Sequence, residues 1–481
     1  MLADRGGLMY NFRGVYDQTL THGVAYFAGL HAAGHYRKRS GREDPEILVG
    51  NDHRFSSASL KHYLIQGLLR GGARVRDVGC LPTSVVAYGA NRAADGACVV
   101  TASHNPPEYN GLKFFESSGA VMKPAAEDVL TEQVIGSVRE SPKPPMEDIV
   151  TERMEVVAPE RLRERYINEV AEAVEIGAAV TVGLDCRLGT ANLIVPQLLE
   201  RLGCEYSALH TELHPYFLKP NGQYLNPEPK QDNIEDITAL MNGTPLDIGL
   251  IFDGDSDRNV ITDNKGQYLQ DDLVLLALAM ECGEPDRLRV MTVDSSLMVE
   301  RELQRLGYRL AITPVGDPFV AAALEEKGGS FGGVPNGHYI FPDFNLYSDG
   351  IYTAVTMLRI VARLKERGET LRSWVETLPP TTILKRKHPF GRSREEFVGR
   401  PAPALRELFE RRCGGCDYLE TDDCVVTAKN EDSKLLVRYN RWDNNFNVQA
   451  ESLASPEQAQ EAMGEIIGIL TEMEAADQVA P

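Results

Sequence analysis

The sequence predicts an α/β protein with three related α/β domains and a smaller α+β domain at its C-terminal end. A chain of 481 residues is too long for one hydrophobic core and suggests three or four domains. Short β-rich runs alternate with amphipathic helical stretches, which is typical of α/β units. The alternation recurs three times, although no sequence identity between the repeats is visible.

The individual elements follow from the hydrophobic periodicity of each stretch. The first unit is predicted to contain strands at 46–50, 73–78 and 96–101 and a helix at 57–70. The second and third units are predicted to contain strands at 180–185, 247–252, 288–293 and 309–313 and helices at 191–202, 273–280 and 296–306. Proline-rich breaks at 141–146 and 378–382 separate units. We therefore expect domains over residues 1–150, 151–262, 263–385 and 386–481.

Composition narrows the classes of partner. A net charge of −20 argues against binding to nucleic acid or to an anionic membrane surface, because the negative electrostatic field of such a protein repels phosphate groups. An anionic substrate would therefore need a local cluster of arginine and lysine. The first residues lack the apolar segment of a signal peptide, and the longest apolar run is far too short to span a membrane. Eight scattered cysteines favour a reduced, cytoplasmic protein.

The pair Cys413 and Cys416, with Cys424 nearby, has two interpretations. A zinc site needs about four ligands, and no histidine lies close enough in sequence to complete a familiar pattern. The two glycines between Cys413 and Cys416 favour a turn between a helix and a strand.

The first chemically informative loop is Thr101-Ala-Ser-His-Asn-Pro106. A serine at the end of a buried strand, followed by a turn, is presented to solvent and suits a nucleophile or a phosphoryl carrier. His104 and Lys113 could exchange protons nearby. The loop alone is also consistent with a plain turn.

The second loop is Asp253-Gly-Asp255-Ser-Asp257-Arg258, directly after an apolar strand. Carboxylates at alternate positions of a tight loop can converge on one hard cation. An EF-hand would need glycine at the sixth position and glutamate at the twelfth, and the chain has arginine and asparagine there. Arg258 could pair with the aspartates or reach a phosphate that the same metal holds.

Together these two motifs resemble those of the α-D-phosphohexomutases, the family of phosphoglucomutases, phosphomannomutases and phosphoglucosamine mutases. The resemblance covers nearly the whole chain. Further matches are Phe12-Arg-Gly-Val15, Tyr109-Asn-Gly-Leu-Lys113, Gly337-His-Tyr339 and Asp349-Gly350. The resemblance implies three α/β domains with mixed sheets and a smaller phosphate-binding domain, all around a central cleft.

The resemblance also implies a mechanism for a small phosphosugar. Phosphorylated Ser103 and the three aspartates would ligate Mg²⁺, and the phosphoryl group would pass to a sugar monophosphate. The resulting sugar bisphosphate would turn over and return its other phosphate to Ser103; added bisphosphate, such as glucose 1,6-bisphosphate, would act as activator. Arg13 and Arg258 would neutralise the transferring group, Lys113 would be general acid or base, and His104 would support them. The enzyme would be a monomer or homodimer.

The loop that should grip two sugar hydroxyls departs from the family pattern. The family usually has a Gly-Glu-x-Ser-Gly-His sequence, whereas this chain has Gly333-Val-Pro-Asn-Gly-His338. Val334 stands where the family has a carboxylate and accepts no hydrogen bond. Losing such an acceptor costs about 1.5–3 kcal/mol. Val334, Asn336 and His338 are the expected substrate residues here.

The loop that should hold the non-reacting phosphate also departs from the family pattern. The aligned stretch is Arg438-Tyr-Asn-Arg-Trp-Asp-Asn444, which keeps one arginine, adds Arg441 and Trp442, and lacks the usual hydroxyls. Arg438, Asn440 and Arg441 are the expected phosphate ligands. Because both altered loops touch substrate, we expect a sugar other than glucose or mannose.

Two other functions remain consistent with these residues. A sugar-bisphosphate synthase or phosphatase would use the same phosphoserine without reorientation of the intermediate. A non-catalytic sugar-phosphate binding protein would keep the fold but would not need Ser103, the aspartates and Lys113 together. Product analysis and the presence of phosphoserine separate these alternatives.

Overall fold

The computed structural model describes residues 11–144, 151–389, 401–415, 417–419, 425–440 and 445–476. These residues group into two units. The larger unit contains the described residues up to 291 together with 311–376, and the smaller contains 292–310 and the described residues from 377 onward.

The first α/β domain presents the serine loop at the carboxyl end of a central strand. Its sheet has the order β6-β4-β2-β3-β7, in which all neighbours are parallel except β4 and β6. A separate two-stranded sheet pairs β1 with β5. The elements are β1 (Gly14–Val15), α1 (His22–Ser40), β2 (Glu46–Asn51), α2 (Ser57–Arg70), β3 (Arg74–Cys80), α3 (Thr83–Ala93), β4 (Gly96–Val100), β5 (Tyr109–Asn110), β6 (Leu112–Glu116), α4 (Pro124–Glu140) and β7 (Met154–Val156).

Helices α1 and α2 pack closely on one face of this sheet. A Cβ atom at Gly29 would lie 2.1 Å from the carbonyl oxygen of Leu64, and one at Gly67 would lie 1.9 Å from that of Tyr26. Only glycine permits so short an approach of two helix backbones. The two helices and the sheet enclose one continuous apolar core.

The second α/β domain presents the acidic loop in the same way. Its sheet has the order β11-β10-β8-β9, with only β10 and β11 antiparallel. The helix predicted at 191–202 is instead a 3-10 turn (Thr190–Leu193) followed by a shorter α-helix, because Pro196 lacks the N–H that would continue one helix. The elements are α5 (Pro159–Ala173), β8 (Thr181–Asp185), α6 (Val195–Arg201), β9 (Glu205–Leu209), α7 (Glu235–Gly243), β10 (Ile248–Phe252) and β11 (Asn259–Thr262).

The third α/β sheet has the order β13-β12-β14-β15-β16. Strands β12 and β14 are parallel, and β14, β15 and β16 form an antiparallel meander. The elements in this part of the chain are α8 (Asp271–Glu281), β12 (Leu288–Thr292), α9 (Leu297–Arg305), β13 (Arg309–Thr313), α10 (Asp317–Lys327), β14 (Gly329–Val334), β15 (His338–Phe341), β16 (Asn345–Ser348), α11 (Gly350–Glu366) and α12 (Leu371–Glu376).

The C-terminal domain is an antiparallel sheet in the order β17-β21-β20-β19-β18, covered by two helices. The predicted glycine turn is confirmed, since Gly414 and Gly415 lie between α13 and β18; Cys416 and Cys424 lie outside the described residues. The elements are β17 (Thr382–Pro389), α13 (Pro401–Cys413), β18 (Asp417–Leu419), β19 (Val425–Lys429), β20 (Ser433–Asn440), β21 (Asn445–Ser452) and α14 (Pro456–Ala476).

The predicted fold class is confirmed: three α/β domains with mixed sheets precede a smaller α+β domain. In the part of the chain that the structure describes, no helix has both the length and the apolar character needed to cross a membrane. The predicted start of the last domain, residue 386, falls within β17.

Candidate active site

Ser103 follows β4 in a left-handed backbone conformation, with φ +51°, and its side chain is buried. Its Oγ donates a hydrogen bond of 2.8 Å to Oδ2 of Asp253 and lies 3.1 Å from Nδ1 of His104. Its backbone N–H donates to the hydroxyl of Thr101. The hydroxyl therefore has two possible proton acceptors within hydrogen-bond distance.

Arg54, which the sequence analysis missed, fixes the conformation of the serine loop through hydrogen bonds. Its guanidinium donates to the backbone carbonyls of four loop residues at 2.6–3.2 Å and to Oδ2 of Asp52 at 3.1 Å. Its side chain is fully buried. Asp52 also accepts from the Thr101 hydroxyl at 2.7 Å, so one ion pair organises both ends of the turn. The carbonyls belong to Ser103, Asn105, Pro106 and Tyr109.

The acidic loop after β10 approaches the serine loop closely. A Cβ atom at Gly254 would lie 2.7 Å from the carbonyl oxygen of Ser103, so this position requires glycine. One carboxylate oxygen from each of Asp253, Asp255 and Asp257 lies within 4.8 Å of the others, and all three side chains are buried. This is the predicted acidic cluster.

The donor set of this cluster fits a hard divalent cation. Oδ1 of Asp255 and Oδ1 of Asp257 are buried and have no hydrogen-bond partner among the described residues. Such orphaned carboxylate oxygens are costly unless a cation ligates them. Burial raises the pKa of Asp253 well above its ordinary value, and the charges of Asp257 and Asp255 raise it further.

Lys113 lies against two of the three carboxylates. Its Nζ donates to Oδ2 of Asp255 at 2.9 Å and to Oδ2 of Asp257 at 2.6 Å. Burial alone would lower the pKa of Lys113, but the two carboxylates outweigh it and raise the pKa above its ordinary value. Lys113 is therefore a protonated ammonium in this arrangement.

Arg13 and Arg258 both have buried guanidinium nitrogens without a hydrogen-bond partner among the described residues. These are Nε of Arg13 and Nη2 of Arg258. Arg13 donates through Nη1 to the side-chain oxygen of Asn105 at 3.0 Å, and Arg258 donates through Nε to Oδ2 of Asp253 at 3.2 Å. Two cationic side chains with unused donors suit an anion such as phosphate.

His104 and His338 are both half-buried near these charges. Burial lowers the pKa of His104 well below its ordinary value, and the positive charges of Arg258 and Arg13 lower it further. Burial also lowers the pKa of His338, although Asp257 acts in the opposite direction. Both imidazoles are therefore neutral near pH 7. Nδ1 of His338 lies 3.0 Å from the hydroxyl of Ser348, which donates to the backbone carbonyl of Asp257.

The loop between β14 and β15 lies beside Arg258. A Cβ atom at Gly337 would lie 3.3 Å from Cβ of Arg258. Asn336 is exposed and His338 is half-buried, but Val334 is only 2% exposed. Val334 belongs to an apolar cluster with Val290, Val320 and Ile340, among others. Its side chain thus packs in the core.

The predicted phosphate loop is described only in part. Arg438 lies on β20, paired in register with Val425 on β19 and Asn447 on β21. Asn440 ends the same strand. The side chain of Asn440, and Arg441 and Trp442 entirely, lie outside the described residues.

Sequence reasoning also missed Tyr347 and Thr83, which donate further hydrogen bonds to the acidic loop. The hydroxyl of Tyr347 donates to Oδ2 of Asp257 at 2.6 Å, and that of Thr83 donates to Oδ2 of Asp255 at 2.6 Å. No local sequence signal marks either residue. Asp349, by contrast, belongs to a noticed Asp-Gly pair: it caps α11, and a Cβ at Gly350 would lie 2.6 Å from the carbonyl oxygen of Arg258.

Three family models match this chain, each an α/β/α domain of phosphoglucomutase/phosphomannomutase. Domain I matches residues 9–137, domain II residues 164–266 and domain III residues 271–382. The chain is 32% identical over 473 residues to a phosphoglucomutase/phosphomannomutase of Thermococcus kodakarensis, covering 96% of this chain and 98% of that protein.

Solved structures share the fold. A phosphoglucomutase/phosphomannomutase family protein of Burkholderia thailandensis aligns with a TM-score of 0.80 at 24% identity, covering 100% of this chain and 99% of that one. Aspergillus fumigatus N-acetylphosphoglucosamine mutase, solved with GlcNAc-6P and magnesium, aligns with a TM-score of 0.54 at 14% identity, covering 81% and 92%. The present chain belongs to the phosphoglucomutase/phosphomannomutase family. It is an enzyme of the phosphohexomutase type, an intramolecular phosphotransferase and isomerase of carbohydrate metabolism.

Proposed function

We propose that this family member interconverts a sugar 1-phosphate and its 6- or 5-phosphate through a phosphoserine enzyme and a sugar bisphosphate intermediate. The observation that carries the proposal is the contact between Oγ of Ser103 and Asp253, at the edge of the buried acidic triad. A serine in that place can carry a phosphoryl group beside a cation site.

Mg²⁺ is the proposed metal, with Asp253, Asp255, Asp257 and the phosphorylated Ser103 as its ligands. The all-oxygen donor set and the orphaned oxygens of the triad support a hard cation. When bound, Mg²⁺ would neutralise the carboxylates and polarise a phosphoryl oxygen. A mutase of the same fold has been solved with magnesium, which agrees with this assignment.

The chain's own residues account for the proton balance of each transfer. As the bisphosphate returns a phosphate to Ser103, the Oγ–P bond forms and the bond between phosphorus and the sugar oxygen breaks. The Oγ proton goes to Nδ1 of His104 or to Oδ2 of Asp253, which are the two acceptors within reach. Lys113, which is protonated at the outset, gives a proton to the departing sugar oxygen. Transfer to a sugar hydroxyl is the reverse.

Arg13 and Arg258 are the proposed partners of the transferring phosphoryl group. Arg258 is buried and Arg13 is half-buried, and each has a buried donor nitrogen without a partner among the described residues. Charge-assisted hydrogen bonds from preorganised arginines stabilise the charge on a phosphoryl group in its transition state without reorganisation of water.

The substrate is proposed to be a small phosphosugar other than glucose or mannose phosphate. The core position of Val334 leaves Asn336 and His338 as the polar side chains of the sugar loop. Arg438, Asn440 and Arg441 are the proposed ligands of the non-reacting phosphate. We further propose a cytoplasmic monomer or homodimer, which agrees with free thiols at Cys80, Cys98, Cys186, Cys204 and Cys282.

A phosphorus NMR time course tests this function. The enzyme, Mg²⁺ and a trace of glucose 1,6-bisphosphate are mixed in turn with the 1-phosphates of glucose, mannose, glucosamine, N-acetylglucosamine and ribose. We expect one of the other three, the 1-phosphate of glucosamine, N-acetylglucosamine or ribose, to be converted to its 5- or 6-phosphate faster than glucose or mannose 1-phosphate. Accumulation of bisphosphate or inorganic phosphate instead would replace the mutase by a synthase or phosphatase, and fastest turnover of glucose 1-phosphate would refute the specificity.

A further inference from the structure

The aromatic ring of Phe217 packs against the acidic loop and against the arginine that fixes the serine loop. Phe217 lies in the segment between β9 and α7 and is fully buried. The centre of its ring lies 5.1 Å from the guanidinium carbon of Arg54. Ring atoms Cζ and Cε1 would lie 3.2 and 3.3 Å from a Cβ atom at Gly254. One side chain of the second domain therefore contacts residues that shape both loops.

The backbone of Phe217 adopts a left-handed conformation, with φ +53°, which is unfavourable for a bulky side chain. Its N–H donates to the carbonyl oxygen of His214 at 3.0 Å, and its carbonyl oxygen accepts from the N–H of Leu225 at 2.8 Å. Its side chain packs with Leu188 and Leu225 in a small apolar cluster. A conformation of this kind persists only where the surrounding structure enforces it, and such residues cluster at functional sites.

Phe217 contacts a guanidinium whose hydrogen-bonding capacity is fully used. Arg54 makes five hydrogen bonds, one to Asp52 and four to backbone carbonyls, which matches the five N–H groups of the guanidinium. These bonds lie near the plane of the group, and the group lies over the ring of Phe217. A cation over an aromatic face is attracted by the ring quadrupole, most strongly where water is excluded. The ring therefore orients the arginine that sets the conformation of the serine loop.

The contacts of Phe217 belong to a closed cycle. Nη2 of Arg54 donates to the carbonyl oxygen of Ser103 at 2.8 Å. The same oxygen would lie 2.7 Å from a Cβ atom at Gly254, and Gly254 in turn lies against the Phe217 ring. Because this cycle joins the loop after β4 to the loop after β10, loss of the ring would allow the separation of the two loops to change.

We propose that Phe217 is a positioning residue for phosphoryl transfer: its ring holds Arg54 and Gly254 in the arrangement that keeps Ser103 beside the acidic triad. This inference rests on the proposed mutase function. It assigns to Phe217 an effect on the rate of transfer, whereas a residue that only fills the core would affect stability alone.

Fluorination of the ring separates its electrostatic contact with Arg54 from its packing, because fluorine weakens the negative face of the ring and changes its shape little. The whole chain is made with phenylalanine or its 4-fluoro, 3,5-difluoro or 3,4,5-trifluoro derivative at position 217. The substrate is the sugar 1-phosphate that the wild type converts fastest. We expect kcat to fall at each step, about 3- to 30-fold in total, with little change in KM.

The matched control is the same series at Phe409, which is buried in the apolar cluster of the last domain. Fluorination there should leave kcat unchanged. A kcat that does not depend on fluorination at position 217 would overturn the proposal.

A crystal structure of F217L provides a readout that needs no turnover. We expect the serine loop to shift relative to the acidic loop by on the order of 1 Å, a displacement that can cost about 100-fold in rate, and the 2.8 Å hydrogen bond between Ser103 and Asp253 to lengthen. Y216L is the control, because the neighbouring Tyr216 is exposed and stacks on Phe55 instead; both loops should stay in place. Unmoved loops in F217L would refute the role of Phe217. Absence of turnover in wild type would refute the mutase function, and this structure would still decide on Phe217.

Discussion

Oγ of Ser103 and Oδ2 of Asp253, 150 positions apart in the sequence, are joined by a hydrogen bond of 2.8 Å. Each residue lies in the loop that follows a buried strand, β4 in the first sheet and β10 in the second. The carboxyl ends of two separate sheets therefore meet, and Gly254 permits the backbone approach that brings them together. The proposed phosphoryl carrier and the proposed metal site are thus one structural unit.

The substitution S103A should abolish mutase activity, because it removes the only carrier proposed for the phosphoryl group. We expect kcat to fall on the order of 10⁴- to 10⁶-fold, the scale found when a catalytic nucleophile or its partner is removed. Intact-mass spectrometry should detect a phosphorylated fraction in wild type and none in S103A. S117A, an exposed serine of the same domain, is the control and should behave as wild type. Phosphorylated S103A would place the carrier elsewhere.

Mg²⁺ should stabilise the protein through the acidic triad. A ligand that binds only the folded state at a hundred times its Kd adds about 2.7 kcal/mol to the free energy of unfolding. We therefore expect Tm to rise on addition of Mg²⁺ to wild type, and activity to disappear with chelator and return with Mg²⁺. D255N removes a buried carboxylate of the triad and should lose both the Tm shift and the activity.

The matched control for D255N is D232N, because Asp232 is an exposed residue of the same domain. Its Mg²⁺-dependent Tm shift should equal that of wild type. An equal shift in D255N would mean that the stabilising cation binds outside the triad.

Asp349 should make stability depend on pH. Burial raises the pKa of Asp349 to about 6, even though the hydroxyl of Tyr166 and two backbone N–H groups hydrogen-bond to it. Since the folded state binds this proton more tightly than the unfolded state, the contribution of the residue to stability is greatest below pH 4 and declines as pH rises to about 6. The decline amounts to roughly 3 kcal/mol.

Comparing wild type with D349N isolates the effect of Asp349 ionisation, because asparagine can also cap α11 but does not ionise. The Tm of wild type minus that of D349N should decrease between pH 4 and pH 6 and level off above pH 7. A difference in Tm that is independent of pH across this range would show that Asp349 titrates normally.

The loops that carry chemistry could be predicted because each consists of neighbouring residues on one strand end. Ser103 and the three aspartates are recognisable from local sequence, and the structure brings them together. Arg54 and Tyr347 could not be found in this way. Their roles depend on contacts with residues about 50 and 90 positions away, which only the folded arrangement creates.

The sequence also could not predict the direction in which a side chain points. Val334 aligns with a sugar-binding carboxylate, but alignment does not specify which face of β14 the residue occupies. In the structure it packs against the apolar cluster under that strand. The substrate roles of Val334, Asn336, His338, Arg438, Asn440 and Arg441, like the domain boundaries, stay predictions.

Arg54 should set the catalytic geometry of Ser103 without touching substrate. A lysine at this position has a single nitrogen and cannot donate to four carbonyls and a carboxylate at once, so R54K leaves buried carbonyls unsatisfied, at about 1–3 kcal/mol each. The serine loop should then shift, and a misplacement of about 1 Å can cost about 100-fold in rate.

We therefore expect R54K to lower kcat by about that factor, with KM little changed, at temperatures where circular dichroism shows the protein folded. R139K changes an exposed arginine on α4 of the same domain and serves as control, since it should keep wild-type kcat and Tm. The rate at which phosphoserine forms during incubation with glucose 1,6-bisphosphate separates a changed geometry of the serine loop from a loss of stability. A folded R54K that is phosphorylated at the wild-type rate would mean that the loop keeps its geometry without the guanidinium, and Arg54 would then contribute only to stability.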